Sequence, residues 1–382
     1  MTQHQFIPLL NVQRQTATLR SHLDRAFARV LDHSQFIMGP EVTELEEKIA
    51  IYCGTRFAIA CASGSDALLL PLSVLGAGPG SLVVTTPFTF FATGGSISRL
   101  GARPVFGDIE AGTFNLDPNW LKDYLSARSA EELRSIKAIL PVHLFGQCAD
   151  MPTINEIAGH YSIPVIEDAA QAIGAEHNGR RAGSLGWCGA FSFFPSKNLG
   201  GLGDGGIITT DDPALNEKLR IYRAHGAGEA YRHDYVGMNS RLDTLQAAAL
   251  LVKLHHLEAW TERRRENAAT YRQSIPALCG DSVGLPLESP GSRHVYNQFT
   301  VRVADRNQVQ KKLTAAGVGT AIYYPIPLHL QTCFRDLGYA PGDLPVAEMA
   351  ASQVLSIPVE AGHSEADILA VSRALAVAVT KS

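Results

Sequence analysis

The sequence predicts an α/β protein of two domains, and three observations carry that reading. Short apolar runs alternate with amphipathic stretches through the first two-thirds of the chain, a glycine-rich loop then interrupts the alternation, and the last third is a less regular mixture of strand and helix patterns. At 382 residues the chain exceeds one ordinary compact core, so a large domain with a smaller one appended is expected.

The runs FAIAC, SLVVTT, KAILPVH and PVIEDAA are rich in β-formers. The first three are followed by the helical patterns SDALLLPLSVLG, TFFATGGSISRLG and MPTINEIAGHY. Apolar runs of this kind, spaced by helices, describe a mostly parallel sheet covered on both faces. GAFSFF and GGIITT add strands on either side of KNLGGLGDGG, whose glycines rule out a helix there. Residues 241–271 keep helical spacing without glycine or proline and predict one long connecting helix. Beyond it, VYNQFTVRV, a helical NQVQKKLTAAG, a strand-like VGTAIYY and a final helix over Glu365–Val379 describe a smaller α+β unit. The boundary is placed at 255, giving domains 1–255 and 256–382.

Apolar residues make up 46% of the chain, charged residues 18%, and the formal charge is −4 with no block of one sign. That profile suits a buried globular enzyme and gives no field to hold nucleic acid or an anionic membrane. The six cysteines are scattered without zinc spacing, so they read as free thiols packed as small apolar groups, with no metal site. MTQHQFIPLL lacks the basic start of a secretory signal, and no run of ~20 apolar residues occurs. A cytoplasmic location is expected.

The chemistry turns on which lysine is special. Of nine lysines, Lys48, Lys311 and Lys312 lie in charged or polar helical stretches, and Lys218, Lys253 and Lys381 have the helical or terminal settings of solvated side chains. Lys122 and Lys137 have no special neighbours. Lys197 follows the apolar GAFSFFPS and precedes the glycine loop, so it should emerge from a sheet edge into a crevice, where desolvation makes its amine easier to deprotonate and fit for imine chemistry. Upstream, VIEDAAQAIGA closes an apolar strand with Glu167 and Asp168. A carboxylate there is costly to bury unless paired, and a pyridinium nitrogen is a suitable partner for Asp168; a helix cap is the alternative use. In ASGSDALLL a strand runs into a helix, so Ser63, Gly64, Ser65 and Asp66 offer free amides and hydroxyls for a phosphate. Ser192, at the end of its strand, adds a hydroxyl, and Phe90 in TPFTFFAT is placed to stack on a ring.

Taken in order, MGPEVTELEEKIA, ASGSDALLL, TPFTFFAT, GARPVFGDI, PVHLFGQCADM, VIEDAAQAIGA, FSFFPSKNLGGLGDGG, GMNSRLDTLQAA, YYPIPLHLQ and LSIPV resemble the DegT/DnrJ/EryC1/StrS family of sugar aminotransferases, a branch of the fold-type-I pyridoxal-phosphate enzymes. The resemblance implies a large domain built on a mostly parallel sheet of the seven-stranded type, flanked by helices, with a smaller C-terminal α+β domain. It implies Lys197 for the Schiff base with pyridoxal 5'-phosphate, Asp168 for the ring nitrogen, Phe90 for stacking and Gln171 beside the phenolic oxygen. Gly64, Ser65 and Ser192 fall at the phosphate. Asn239, in GMNSRLD, matches a residue that reaches the phosphate from a neighbouring subunit, so a homodimer with shared active sites is implied. Tyr324 and His329 match the region facing the sugar and the amino donor.

A related branch has histidine where Lys197 stands and dehydrates sugars; the lysine favours transamination. The forms PVHLFGQ, FFPSKNLG, GDGG and PIPLHLQ, with Asp204 where many C4-specific relatives carry Glu, are most similar to enzymes that aminate C3 of a nucleotide-linked 3-keto-6-deoxyhexose. The expected reaction moves an amino group from glutamate to such a sugar, with dTDP as the nucleotide; a 4-keto or UDP-linked 3-keto sugar is the alternative within the family. A reading of another class is a non-catalytic regulatory protein that keeps the cofactor scaffold, against which the intact lysine argues. A nicotinamide enzyme is excluded by motif context, because no G-x-G-x-x-G follows the first strand.

Overall fold

The computed structural model describes residues 6–229 and 231–380. Part of the amino-terminal stretch and Lys381 therefore lie outside the described residues.

Seven strands build the main sheet: β1 (Phe57–Cys61), β2 (Leu82–Thr85), β3 (Arg103–Phe106), β4 (Ile136–Leu140), β5 (Ile166–Asp168), β6 (Cys188–Ser192) and β7 (Gly206–Thr210). Their spatial order is β1-β7-β6-β5-β4-β2-β3, the middle joint being made by parallel bridges Ile139–Val165 and Val142–Asp168. β5 is parallel to β6, and β2 is parallel to β3 and β4, whereas β7 runs antiparallel to both its neighbours, in register Ile59–Ile208 and Ala190–Ile208. Six strands thus point one way and one points back. Burial is nearly continuous along β1, β6 and β7, as two-sided coverage by helices requires.

The helix Gly64–Val74 follows β1, Phe91–Arg99 follows β2 and Met151–His160 follows β4. Ser63 and Asp150 cap two of these, their side chains accepting from the Asp66 and Thr153 amides. Because the strands alternate with helices in this way, the carboxyl ends of β1, β2, β4, β5 and β6 open on one edge of the sheet, and the start of β7 lies there too. Ligands bind at such an edge in open α/β sheets.

The predicted single helix over 241–271 is two helices, Thr244–Leu254 and Leu257–Cys279, broken at His255–His256. The second runs further than expected because Pro276 is accommodated near its end. After it, Val283–Gly284, Phe299–Val303 and Val354–Ile357 form a three-stranded antiparallel sheet. Tyr271, Phe299, Val301, Leu355, Val371 and Leu375 form the core beneath that sheet. The final helix is Glu365–Val379, as the pattern predicts. VGTAIYY is not a strand: it makes isolated bridges at Val318 and Ala321 only, because it crosses from the small sheet to the large one and packs Tyr323 and Tyr324 against Phe88 and Phe145. We propose that the two domains divide at the His255–His256 break.

Two further expectations are corrected. Lys253 is fully buried rather than solvated. Of the cysteines, all free, four are buried, but Cys279 is half-buried and Cys333 exposed.

Candidate active site

Successive residues of a strand face opposite sides, and this separates the two carboxylates at the end of β5. Glu167, fully buried, is bound to His143 Nε2 (2.9 Å) and accepts from the amides of Gly183, Leu185 and Gly186 (2.7 Å each). His143 Nδ1 accepts from the Ala149 amide, so the proton on Nε2 is the one given to Glu167. With four donors around it, Glu167 holds loops together and is not free for a ligand.

Asp168 turns to the other face. Its Oδ2 accepts from the Thr93 hydroxyl at 2.7 Å and its Oδ1 from the Ala170 amide at 3.2 Å. Thr89 lies 2.9 Å from Thr93; because the Thr93 proton goes to Asp168, Thr89 is the donor of that pair, and the three groups form one directed chain. Burial pushes the Asp168 carboxyl up, and Thr93, Ala170 and then the Lys197 charge oppose it without cancelling it.

Lys197 lies in the turn after β6, where its backbone amide donates to the Phe194 carbonyl at 2.8 Å. The side chain is half-buried. Burial pushes its amine down to about 8, with the Asp168 charge pulling the other way. Its Nζ makes no ion pair or hydrogen bond among the described residues. An amine so placed reaches its neutral, nucleophilic form at a lower pH than a solvated lysine does.

Two glycines bring the phosphate-side groups together. A Cβ on Gly64 would stand 2.6 Å from Ser192 Cβ and 2.9 Å from its Oγ, and a Cβ on Gly206 would stand 2.3 Å from the Ser63 carbonyl oxygen. The β6 and β7 ends therefore close directly on the start of the helix Gly64–Val74, setting the Ser192 hydroxyl beside the free first-turn amides and exposed Ser65. Asp66 is tied away by Ser240 Oγ at 2.7 Å. Asn239 next to it is exposed, and its Oδ1 accepts from Arg241 Nε at 3.0 Å.

Phe90 is 58% exposed, high for a phenylalanine, and its ring is 6.2 Å from that of Tyr324. Gln171 spans from the Phe145 amide (2.6 Å, accepting) to the Tyr324 hydroxyl (3.1 Å, donating). Burial pushes the Tyr324 phenol up. The structure thus links Gln171, Tyr324 and Phe90 by contacts and sets the Asp168 charge within reach of both Lys197 and Tyr324, while Gly64 and Ser192 close on one another beside Ser65. His329 is set apart: its side chain is enclosed, with Nε2 3.1 Å from Glu348 Oε1 and the ring 5.8 Å from that of Tyr339.

Thr93 is a site residue absent from the sequence-based expectations, although TFFAT spaces Thr89 and Thr93 one helical turn apart beside the strand end, which places both hydroxyls on one face.

A half-buried amine without a partner, a buried carboxylate, a helix start with no room for a Cβ and an exposed aromatic suit a flat, phosphorylated pyridine aldehyde. They define the class of enzyme that works with pyridoxal phosphate. The chain belongs to the DegT/DnrJ/EryC1/StrS aminotransferase family, whose model matches residues 18–376. It is 48% identical over 352 residues to the "Pleiotropic regulatory protein" of Geobacillus stearothermophilus, covering 92% of this chain and 93% of that one. It is 44% identical over 369 residues to the UDP-2-acetamido-2-deoxy-3-oxo-D-glucuronate aminotransferase of Pseudomonas aeruginosa, covering 97% and 99%. The solved structure of S. venezuelae DesV in complex with a ketimine intermediate superposes with a TM-score of 0.94 at 38% identity, over 99% of this chain and 100% of that one. The protein is a pyridoxal-phosphate-dependent sugar aminotransferase.

Proposed function

We propose that the enzyme transfers the amino group of glutamate to C3 of a nucleotide-linked 3-keto sugar, with a dTDP-linked 6-deoxyhexose as the substrate. The observation that carries the reading is the Lys197 amine, unpaired and held near about 8 by burial beside Asp168. Pyridoxal phosphate, when bound, supplies an aldehyde that links amines covalently and a ring that takes up electrons from a broken C–H bond. In this reading Lys197 holds the cofactor; once displaced, its amine takes the proton from the α-carbon of glutamate and, in the second half-reaction, delivers a proton to C3 of the sugar. Asp168 keeps the ring nitrogen protonated. Ser65, Ser192 and the first-turn amides at Gly64 bind the phosphate, Phe90 covers the ring face, and Gln171 faces the phenolic oxygen. Tyr324 faces the substrates, and His329, braced by Glu348, belongs to the segment that carries Tyr324 toward them.

A second copy of the chain completes the site by placing Asn239 on the phosphate. What supports this is the exposure of Asn239 and of a nearby apolar surface in which Tyr231 and Val236 are each 99% exposed. Free thiols at all six cysteines suit a reducing compartment, and no helix among the described residues is long and apolar enough to cross a membrane; we place the reaction in the cytoplasm.

The similarity to the Pseudomonas enzyme, which acts on a UDP-linked 3-oxo sugar, favours a second reading in which the nucleotide is UDP. The test is a panel of dTDP- and UDP-linked 3-keto and 4-keto sugars with glutamate and glutamine, read by mass spectrometry. C3 amination of the dTDP-linked sugar is expected; consumption of 4-keto compounds alone overturns the regiochemistry. Lys197→Ala is expected to abolish turnover, and normal turnover in it refutes the assignment.

A further inference from the structure

Lys253 is a buried cation that the mechanism does not use. It lies in the last turn of the helix Thr244–Leu254 and has no exposed surface. Among the described residues it makes no ion pair with a carboxylate, and its Nζ donates one hydrogen bond, to the Gly200 carbonyl at 2.7 Å. Burial pushes the amine down to about 8. An ammonium has three donors and is costly to desolvate. A lysine kept there for packing alone would be outdone by methionine of similar shape.

Its one hydrogen-bond partner among the described residues belongs to the loop that carries Lys197. The stems of that loop are fixed by the backbone: Lys197 N donates to Phe194 O and Gly201 N to Phe193 O. Its crown is fixed by side chains from elsewhere. Gln246, seven residues and about two turns before Lys253 on the same helix face, accepts from the Leu202 amide at 2.9 Å. Asn198 donates to the Val295 carbonyl at 3.1 Å and accepts from Asn297 at 2.9 Å. Gly200 and Gly201 leave the crown little room to relax, because a Cβ on Gly200 would stand 2.4 Å from the Pro195 oxygen and one on Gly201 3.0 Å from Gln246.

We propose that Lys253 is a positioning residue for transamination: through the Gly200 carbonyl it sets the conformation of the 196–201 turn and so aims the Lys197 amine. The inference rests on Lys197 being the residue that holds the cofactor.

Cofactor-free wild type, Lys253→Met and Lys253→Gln are mixed with pyridoxal phosphate, and borohydride-trapped adduct is followed over time by peptide mapping, alongside thermal melting and steady-state kinetics. In wild type the adduct maps to Lys197; an adduct elsewhere removes the reading of Lys197 itself, and Lys253 is then no longer at issue. With that established, Lys253→Met is expected to slow adduct formation and lower kcat about tenfold, the scale of a small misplacement of a reacting group. KM for the keto sugar stays within about twofold and melting is unchanged or higher, since a buried charge is removed. A merely structural role would instead lower melting and leave the adduct rate of the folded fraction unchanged, which overturns the proposal. Should the Met variant not fold, Lys253→Gln decides: its amide is one bond too short for the Gly200 contact, and a wild-type adduct rate in it overturns the proposal equally.

Discussion

Replacing Thr93 by valine removes one oxygen and keeps the β-branched shape, so the packing at the start of the helix Phe91–Arg99 should survive. What is lost is the 2.7 Å hydrogen bond to Asp168. A hydrogen bond to a buried carboxylate contributes about 1.5–3 kcal/mol. Its loss raises the Asp168 carboxyl further beyond where burial already holds it. An Asp168 that more readily takes the proton for itself leaves the ring nitrogen less protonated and weakens the electron uptake on which C–H cleavage depends, so the half-reaction with the amino donor should slow about tenfold or more. The assay is single-turnover absorbance with glutamate, beside Thr93→Ser, which restores the hydroxyl. Equal rates for Thr93→Val and Thr93→Ser would refute the reasoning, because the chain from Thr89 through Thr93 would then carry no weight at Asp168.

Gly64→Ala should weaken pyridoxal phosphate binding, since its Cβ would stand 2.6 Å from Ser192 Cβ; the pairing Gly64→Ala with Ser192→Gly should recover part of the affinity, and independent, additive losses would show that the two do not share a site. The rate at which cofactor-free protein captures pyridoxal phosphate should rise with pH through about 8 as Lys197 loses its proton, and Asp168→Asn should move that midpoint down, because the Asp168 charge favours the protonated amine; an upward movement contradicts the assignment. Glu167→Gln sets an amide NH2 against three backbone donors and His143, so denaturant unfolding should show a loss of about 2–4 kcal/mol, and a loss below about 1 kcal/mol would mean that the carboxylate is not needed there. Mixing inactive Lys197→Ala and Asn239→Ala proteins should restore activity if each site draws on two copies; no recovery after subunit exchange counts against the shared site.

The main sheet was legible because strands covered on both faces must be largely apolar, and FAIAC, AILP and GII are. The same signal misled at VGTAIYY: an apolar segment that crosses between two sheets has the composition of a strand without a ladder partner. The 241–271 stretch read as one helix because neither glycine nor proline marks the break at His255–His256. Lys197 and Asp168 stood out as polar residues at the ends of apolar runs, and alternation along β5 explains why Asp168 rather than Glu167 faces the cleft. Lys253 was missed although its helix, TLQAAALLVKL, carries no other charge; an all-round apolar helix is a buried one, and a lysine within it must be buried too. Phe90 and Tyr324 meet across 234 positions of sequence, which no local pattern reports.

β7, the one strand that runs against its six companions, has a consequence for durability. Its reversal makes the segment carrying Lys197 the connection of a hairpin whose two arms lie inside the sheet, β6 between β5 and β7, and β7 between β6 and β1. Releasing either arm strips a ladder from two flanking strands at once, so fraying at the sheet's margins does not reach it. Amide hydrogens of Ala190 and Ile208 should exchange only on complete unfolding, and the reactive amine should keep its station until the sheet itself melts.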